Sequence, residues 1–174
     1  IILNSLNKTK SEINRAWELN ERHYGDLTGL NKDEVIKKHG KEQVLKWRRS
    51  FDISPPPMKF SNPHHPSKNK TYDDVPTDKI PNSESLKNTF ERVVPYYEKN
   101  IEKLIFSKKN VLIVAHGNSL RALCKKIFNI SKDRIVDFEI PTGNPLLIIF
   151  EDNLKLKEYK YLDAKRAKKI LFNV

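Results

Sequence analysis

The chain has 174 residues, 37% of them apolar and 9% aromatic, which is enough for one domain with its own core. A charged fraction of 32% and the lack of any apolar run near the ~20 residues of a membrane span argue against a helical membrane protein. The formal charge of +11 favours an anionic partner without choosing among nucleic acid, an acidic surface and a small phosphorylated metabolite, and the single cysteine, Cys124, leaves no intramolecular disulfide and a cytoplasmic location as the default.

Ile1 to Leu6 lacks the basic flank and the small-residue cleavage site of a signal peptide, and the sequence reads as beginning in mid-pattern. Asn31 followed by Glu34 has the form of a helix N-cap, and Gly40 gives a stop, so residues 32–39 are predicted helical. A second helix over 41–49 carries Val44, Leu45, Trp47 and Arg48 and ends before Pro55-Pro56-Pro57. Residues 50–81 hold most of the prolines and read as one long Pro-rich loop, a lid or a disordered segment. From Ser83 the apolar positions Leu86, Phe90, Val93, Val94, Tyr97, Ile101, Leu104 and Ile105 follow helical spacing, which predicts one long packed helix.

Asn110 to Ala115 is a short apolar run rich in β-branched residues, the pattern of a strand buried on both faces of a parallel or mixed sheet. His116-Gly117-Asn118 is the turn leaving it, and Leu120, Leu123, Cys124, Ile127 and Phe128 form the stripe of the helix that follows. Pro141-Thr142-Gly143 marks another turn, Leu146 to Phe150 another buried strand, and Leu154 to Tyr161 a more polar strand at an edge. The end of the chain reads as a basic helix. The predicted architecture is α/β, a mostly parallel sheet flanked by helices, in a single domain over 1–174. Paired lysines such as Lys37-Lys38 and Lys125-Lys126 read as solvated surface rather than a nucleic-acid stripe, and no nucleic-acid-binding motif is present.

Three stretches go beyond generic structure. Glu21, Arg22, His23 and Tyr24 stand together before Gly25, placing acid, base and cation in one Gly-bounded loop; proton transfer next to a phosphate and a plain surface ion-pair cluster both fit. Arg48 and Arg49 close a predicted helix, where a pair of guanidiniums can neutralise a multiply charged anion or simply complement the helix C-terminus. His116 lies where a predicted strand ends and a helix begins, a position at which free N–H groups favour anions and a histidine can donate to a phosphoryl oxygen; a purely structural histidine is the alternative.

Taken together, Leu19 to Gly25, Gly29 to Lys32, Trp47 to Ser50, Ala115 to Arg121 and Ile140 to Gly143 resemble the 2,3-bisphosphoglycerate-dependent phosphoglycerate mutases of the histidine phosphatase superfamily, in the family's order and over almost the whole chain. The resemblance implies that Glu21 is the general acid/base and His116 the second active-site histidine. It likewise implies that Arg22, His23, Tyr24, Lys32, Arg48, Arg49, Gly117 and Asn118 contact the substrate's phosphate and carboxylate. The implied reaction interconverts 3-phosphoglycerate and 2-phosphoglycerate through a phosphohistidine, primed by 2,3-bisphosphoglycerate in the same pocket and without metal. The partners would be small phosphorylated three-carbon acids, with no nucleic acid and no membrane; homo-oligomerisation stays open.

The family's arginine-histidine-glycine-glutamate run, which supplies the histidine that becomes phosphorylated, is not found in these residues and would fall before Ile1. Glu18 also replaces a residue that is commonly basic in the family, and the loop around Lys68 is idiosyncratic. On this reading the chain by itself is inactive, and the apolar surface around Val111 to Val114 is left exposed beside an unpaired edge. A bisphosphoglycerate synthase or phosphatase of the same superfamily, or a non-catalytic anion-binding remnant, are the alternatives.

Overall fold

The computed structural model describes residues 12–167 together with Ser5. Both short helices form where the sequence places them. Helix α1 (Lys32–His39) is capped by Asn31, whose side chain accepts the Asp33 N–H, and ends at Gly40 with φ of +83°. Helix α2 (Lys41–Arg49) follows at once, and Val35 of α1 packs with Val44 and Trp47 of α2 in a small cluster of their own.

The segment 50–81 is irregular except for short 3-10 turns at Pro66–Lys68, Lys70–Tyr72 and Thr77–Lys79. It is nevertheless anchored, because Met58, His65, Tyr72 and Val75 are buried. His65 is held by Ser67 and Asn82, each 2.7 Å from a ring nitrogen.

Helix α3 (Leu86–Tyr96) opens with a reciprocal Ser85–Asn88 capping box, which satisfies backbone donors at its start. The long helix expected beyond it is not uniform. Pro95 removes a backbone donor inside the helix, and the chain then widens into a π turn over Tyr97–Ile101 before α4 (Glu102–Phe106) resumes. Leu86, Val93, Tyr97 and Ile101 form the main core with Ala122, Leu123, Cys124 and Phe128, most of them from helix α5 (Gly117–Ile127).

The sheet differs from expectation. Among the described residues it consists of two antiparallel strands, β1 (Leu146–Phe150) and β2 (Leu156–Tyr161), with an irregularity between Ile149 and Phe150. β2 begins two residues later than expected because Leu154 takes a positive φ of 63° in the preceding turn. Residues 110–115, expected as a strand buried in a parallel or mixed sheet, carry no ladder, and Leu112 and Val114 are 61% and 67% exposed. Their composition favours an extended chain, but a strand also requires a neighbour, and no other strand among the described residues lies alongside. Ile113 still packs against the core, so the segment keeps its inward face while its other residues meet solvent. The terminal basic helix falls mainly outside the described residues; 164–167, within them, are turns.

Candidate functional site

The centre of the site is a loop without regular structure, from Asn20 to Tyr24, followed by a 3-10 turn over Gly25–Leu27. Gly25 makes this route possible. Its φ is +56°, and a Cβ placed there would lie 2.1 Å from the Pro56 carbonyl oxygen, so the loop and the proline segment touch where only glycine fits. Asp26 N–H donates to that same carbonyl at 2.9 Å, and Ser83 Oγ donates to the Pro55 carbonyl at 2.7 Å.

The Glu21 carboxylate is held from two sides. Its Oε1 accepts the Arg22 N–H at 2.7 Å and Asn118 Nδ2 at 2.9 Å. Asn118 lies in the first turn of α5, and its Nδ2 also donates to Tyr24 Oη at 2.9 Å while its Oδ1 accepts from Arg121 Nη1 at 2.9 Å. Residues distant in sequence, Glu21, Tyr24 and Asn118, therefore form one hydrogen-bonded group.

Arg22 is almost completely buried, at 2% exposure, with its guanidinium over the Tyr24 ring at 4.7 Å. Its Nη2 donates to the Arg48 carbonyl at 3.2 Å, but Nε and Nη1 have no partner among the described residues. A buried guanidinium with two donors unsatisfied among the described residues is costly alone, and an anion within reach can supply the acceptors. Arg48 approaches the other part of the group, its guanidinium 5.3 Å from the Tyr24 ring centre. Arg49 is turned to Glu139, with which it forms an ion pair.

The remaining expected residues occupy more open positions. His116 is the N-cap of α5, and both it and Gly117 are exposed at the helix start, where backbone N–H groups face outward. Lys32 is exposed at the first turn of α1. His23 points elsewhere. Its Nε2 lies 2.6 Å from Tyr72 Oη, edge-on to that ring, and burial holds its pKa below the usual histidine range despite the opposing pull of Glu84.

Four side chains that the sequence reading did not select belong to the same region. Arg121 is buried, ties Asn118 to the Ile135 carbonyl through its Nη2, and is pushed down to about 10 by burial and by the charges of Arg49 and Arg22. Tyr72 comes from the Pro-rich segment. Glu84 and Arg92 form an ion pair at 2.6 Å, with only 2% and 10% of their side chains exposed. The available signal for Arg92 was a charged residue beside an apolar stripe, at the third position after Thr89 in α3; for Tyr72 there was none. Among the described residues no group of three or more His, Cys, Asp and Glu is arranged to hold a metal, and no helix is long and apolar enough to cross a membrane.

Residues 59–158 match the histidine phosphatase superfamily (branch 1). The chain is 49% identical over 164 residues to the 2,3-bisphosphoglycerate-dependent phosphoglycerate mutase of Pelagibacter ubique, an overlap covering 94% of this chain and 69% of that protein. It is 46% identical over 175 residues to the protein of the same name from Hydrogenobaculum sp., covering 100% and 71% respectively. The one from Maricaulis maris is 47% identical over 167 residues, covering 95% and 69%. The chain therefore belongs to the 2,3-bisphosphoglycerate-dependent phosphoglycerate mutases of the histidine phosphatase superfamily.

Proposed function

We propose that this domain interconverts 3-phosphoglycerate and 2-phosphoglycerate, with Glu21 as the proton-transfer group and the Arg22–Tyr24–Arg48–Asn118 cluster as the cradle of the phosphorylated acid. The observation that carries the reading is the juxtaposition of a carboxylate held by Asn118 with a buried Arg22 whose Nε and Nη1 lack partners among the described residues. Phosphoryl transfer asks little covalent chemistry of the protein beyond its nucleophile and depends on positioning and charge neutralisation. A carboxylate 2.9 Å from an amide donor stays oriented, ready to accept the proton of a sugar-acid hydroxyl as that oxygen attacks phosphorus and to return it in the reverse step.

Arg48, Arg49 and Lys32 complete the substrate contacts on this reading, His23 being turned to Tyr72, and His116 with the Gly117 N–H at the head of α5 meets the transferring group. A primer with two phosphates fits the same surplus of donors: 2,3-bisphosphoglycerate would be held by Arg22, Arg48 and Arg49, and when bound it supplies a phosphoryl group. Small phosphorylated three-carbon acids are then the partners, in the cytoplasm. The mostly parallel sheet belongs to this reading as well. None of the five histidines is assigned as the phosphoryl acceptor. His23 is engaged by Tyr72, His65 by Ser67 and Asn82, and His39 stands edge-on to Trp47, while His64 lies in the Pro-rich segment and His116 has the other role.

The test uses the domain extended at its N-terminus to the length of its relatives. Conversion of 3-phosphoglycerate should exceed release of inorganic phosphate, and Glu21→Gln should lower turnover by about 10²-fold with a smaller effect on binding. Phosphate release without isomerisation would make the domain a phosphatase instead. Unimpaired turnover in Glu21→Gln would remove that residue from the mechanism.

A further inference from the structure

The loop that carries Glu21 has no ladder of its own, so something else must fix its peptide planes. One guanidinium meets three carbonyls in and just before it. Arg92, on α3, donates through Nη1 to the Glu18 carbonyl and through Nη2 to those of Asn20 at 3.1 Å and Glu21 at 3.3 Å. Glu84 grips the same guanidinium, Oε1 to Nε at 2.6 Å and Oε2 to Nη2 at 2.9 Å. It also pairs with His23 in both directions: Oε2 accepts the His23 N–H at 2.9 Å, and the Glu84 N–H donates to the His23 carbonyl at 2.8 Å.

A buried ion pair contributes little net stability unless further hydrogen bonds use its remaining donors and acceptors. Here those further bonds all go to one short stretch, residues 18–23, on either side of Glu21. The Ser85–Asn88 capping box roots Glu84 immediately before α3, and Arg92 stands two turns along the same helix, so the clamp is built on a rigid element. Rotation of the peptide on either side of Glu21 would break a bond to Arg92 and swing the carboxylate away from Asn118.

We propose that Glu84 and Arg92 are positioning residues for the proton transfer assigned to Glu21, setting the carboxylate's direction through the backbone without touching substrate. The proposal rests on the reading of Glu21 given above. Such a role has a chemical signature. An alkyl phosphate ester releases a strongly basic alkoxide that needs a proton as the P–O bond breaks, whereas p-nitrophenyl phosphate releases a stable phenolate that does not. A misdirected Glu21 therefore harms the first substrate and largely spares the second, while a partly unfolded protein harms both alike.

The experiment compares Arg92→Gln, Glu84→Gln and Glu21→Gln in the domain extended to the length of its relatives. Turnover of 2-phosphoglycerate, glycerol 2-phosphate and p-nitrophenyl phosphate is measured, each divided by the number of sites that accept a labelled phosphoryl group. The expected result is an alkyl-to-aryl turnover ratio lowered at least tenfold in Arg92→Gln and Glu84→Gln, with no further drop when Arg92→Gln is added to Glu21→Gln. A ratio equal to that of the wild type, with alkyl and aryl turnover falling in parallel, would overturn the proposal. Should Arg92→Gln not fold, Glu84→Gln, which keeps the side chain's size and one carbonyl acceptor, reads the same ratio. Failure of the functional reading looks different: the wild-type domain would hydrolyse both generic esters and leave phosphoglycerate unchanged, and the ratio for glycerol 2-phosphate would still decide the positioning role.

Discussion

Replacement of Gly25 by Ala tests how tightly the Glu21 loop is fixed against the Pro-rich segment. An added Cβ would lie 2.1 Å from the Pro56 carbonyl oxygen, 2.9 Å from Ser83 Oγ and 3.0 Å from Ser83 Cβ, and the residue would keep a φ of +56°. The left-handed backbone costs a non-glycine residue about 1–2 kcal/mol. Relieving the overlap with a backbone oxygen, which cannot rotate aside as a side chain would, adds about 1–3 kcal/mol. Movement of Pro56 also lengthens the Asp26 N–H bond to its carbonyl, now 2.9 Å, a loss of about 1 kcal/mol. The sum, about 3–6 kcal/mol, is a large part of the roughly 5–15 kcal/mol that holds a domain folded. Gly29 is the internal control. It has a φ of +78° but nothing within 4 Å of an added Cβ, so Gly29→Ala should incur the backbone term alone. Urea unfolding followed by circular dichroism gives both values, with the difference between the two variants expected at about 2 kcal/mol or more. Equal destabilisation of Gly25→Ala and Gly29→Ala would refute the claim that the Pro56 contact fixes the loop.

The other predictions concern charge and chemistry. Arg48→Ala and Arg49→Ala should each weaken phosphoglycerate binding by about 1–3 kcal/mol in calorimetric titration without unfolding the protein; unchanged affinity would return the pair to a helix-end role. His23 has its pKa lowered by burial, so the unfolded chain binds its proton more readily; stability should be flat above the ordinary value of 6.5 and fall as pH drops below it, and His23→Gln should flatten that slope in urea melts at stepped pH. Cys124, whose thiol burial pushes up to about 12, should react with a thiol reagent only as fast as the protein opens, and rapid labelling of the folded chain would contradict its burial. The 174-residue chain incubated with labelled 2,3-bisphosphoglycerate should yield no acid-labile phosphoprotein, and stoichiometric labelling would show that one of its five histidines is the nucleophile after all.

The elements most legible in the sequence were those whose signals are local. Asn31, Glu34 and Gly40 are enough to bound α1, because a cap and a left-handed stop act within a few residues, and α2 ends where the chain turns toward Pro55. The long helix after Ser85 was legible as a stripe, but periodicity averages over the π turn at Tyr97–Ile101 and does not see it. Sheet pairing was the least legible. Val111 to Val114 has the composition of a buried strand, yet pairing depends on a neighbour whose position no local pattern encodes. The same division runs through the site. Glu21, Arg22 and Tyr24 stood out before a glycine and Asn118 through the family resemblance, and the structure joins Glu21, Tyr24 and Asn118 through side-chain hydrogen bonds. Arg121, Tyr72, Glu84 and Arg92 act through backbone carbonyls or neighbouring side chains, and such a role leaves no distinctive residue type in the sequence.

The arrangement of charge explains why so much of this polar network is buried. Arg22 and Arg121 are both buried, and of the carboxylates nearby Glu84 is given to Arg92 and Glu139 to Arg49. Glu21 is bound by an amide and a backbone N–H rather than by a guanidinium. If Glu21 instead formed a bidentate pair with Arg22, the folded protein would gain a charge-assisted contact but lose both an accepting carboxylate and two free donors. Arg22 Nε and Nη1 have no partner among the described residues, and a buried N–H without one forfeits about 1–3 kcal/mol of solvation. On the proposed reading, an anion that supplies acceptors to those donors recovers that loss on binding, which favours a phosphorylated acid. On the proposal above, Glu84 and Arg92 keep that separation, because Arg92 bonds the carbonyls of Asn20 and Glu21 and so fixes the backbone on either side of the carboxylate.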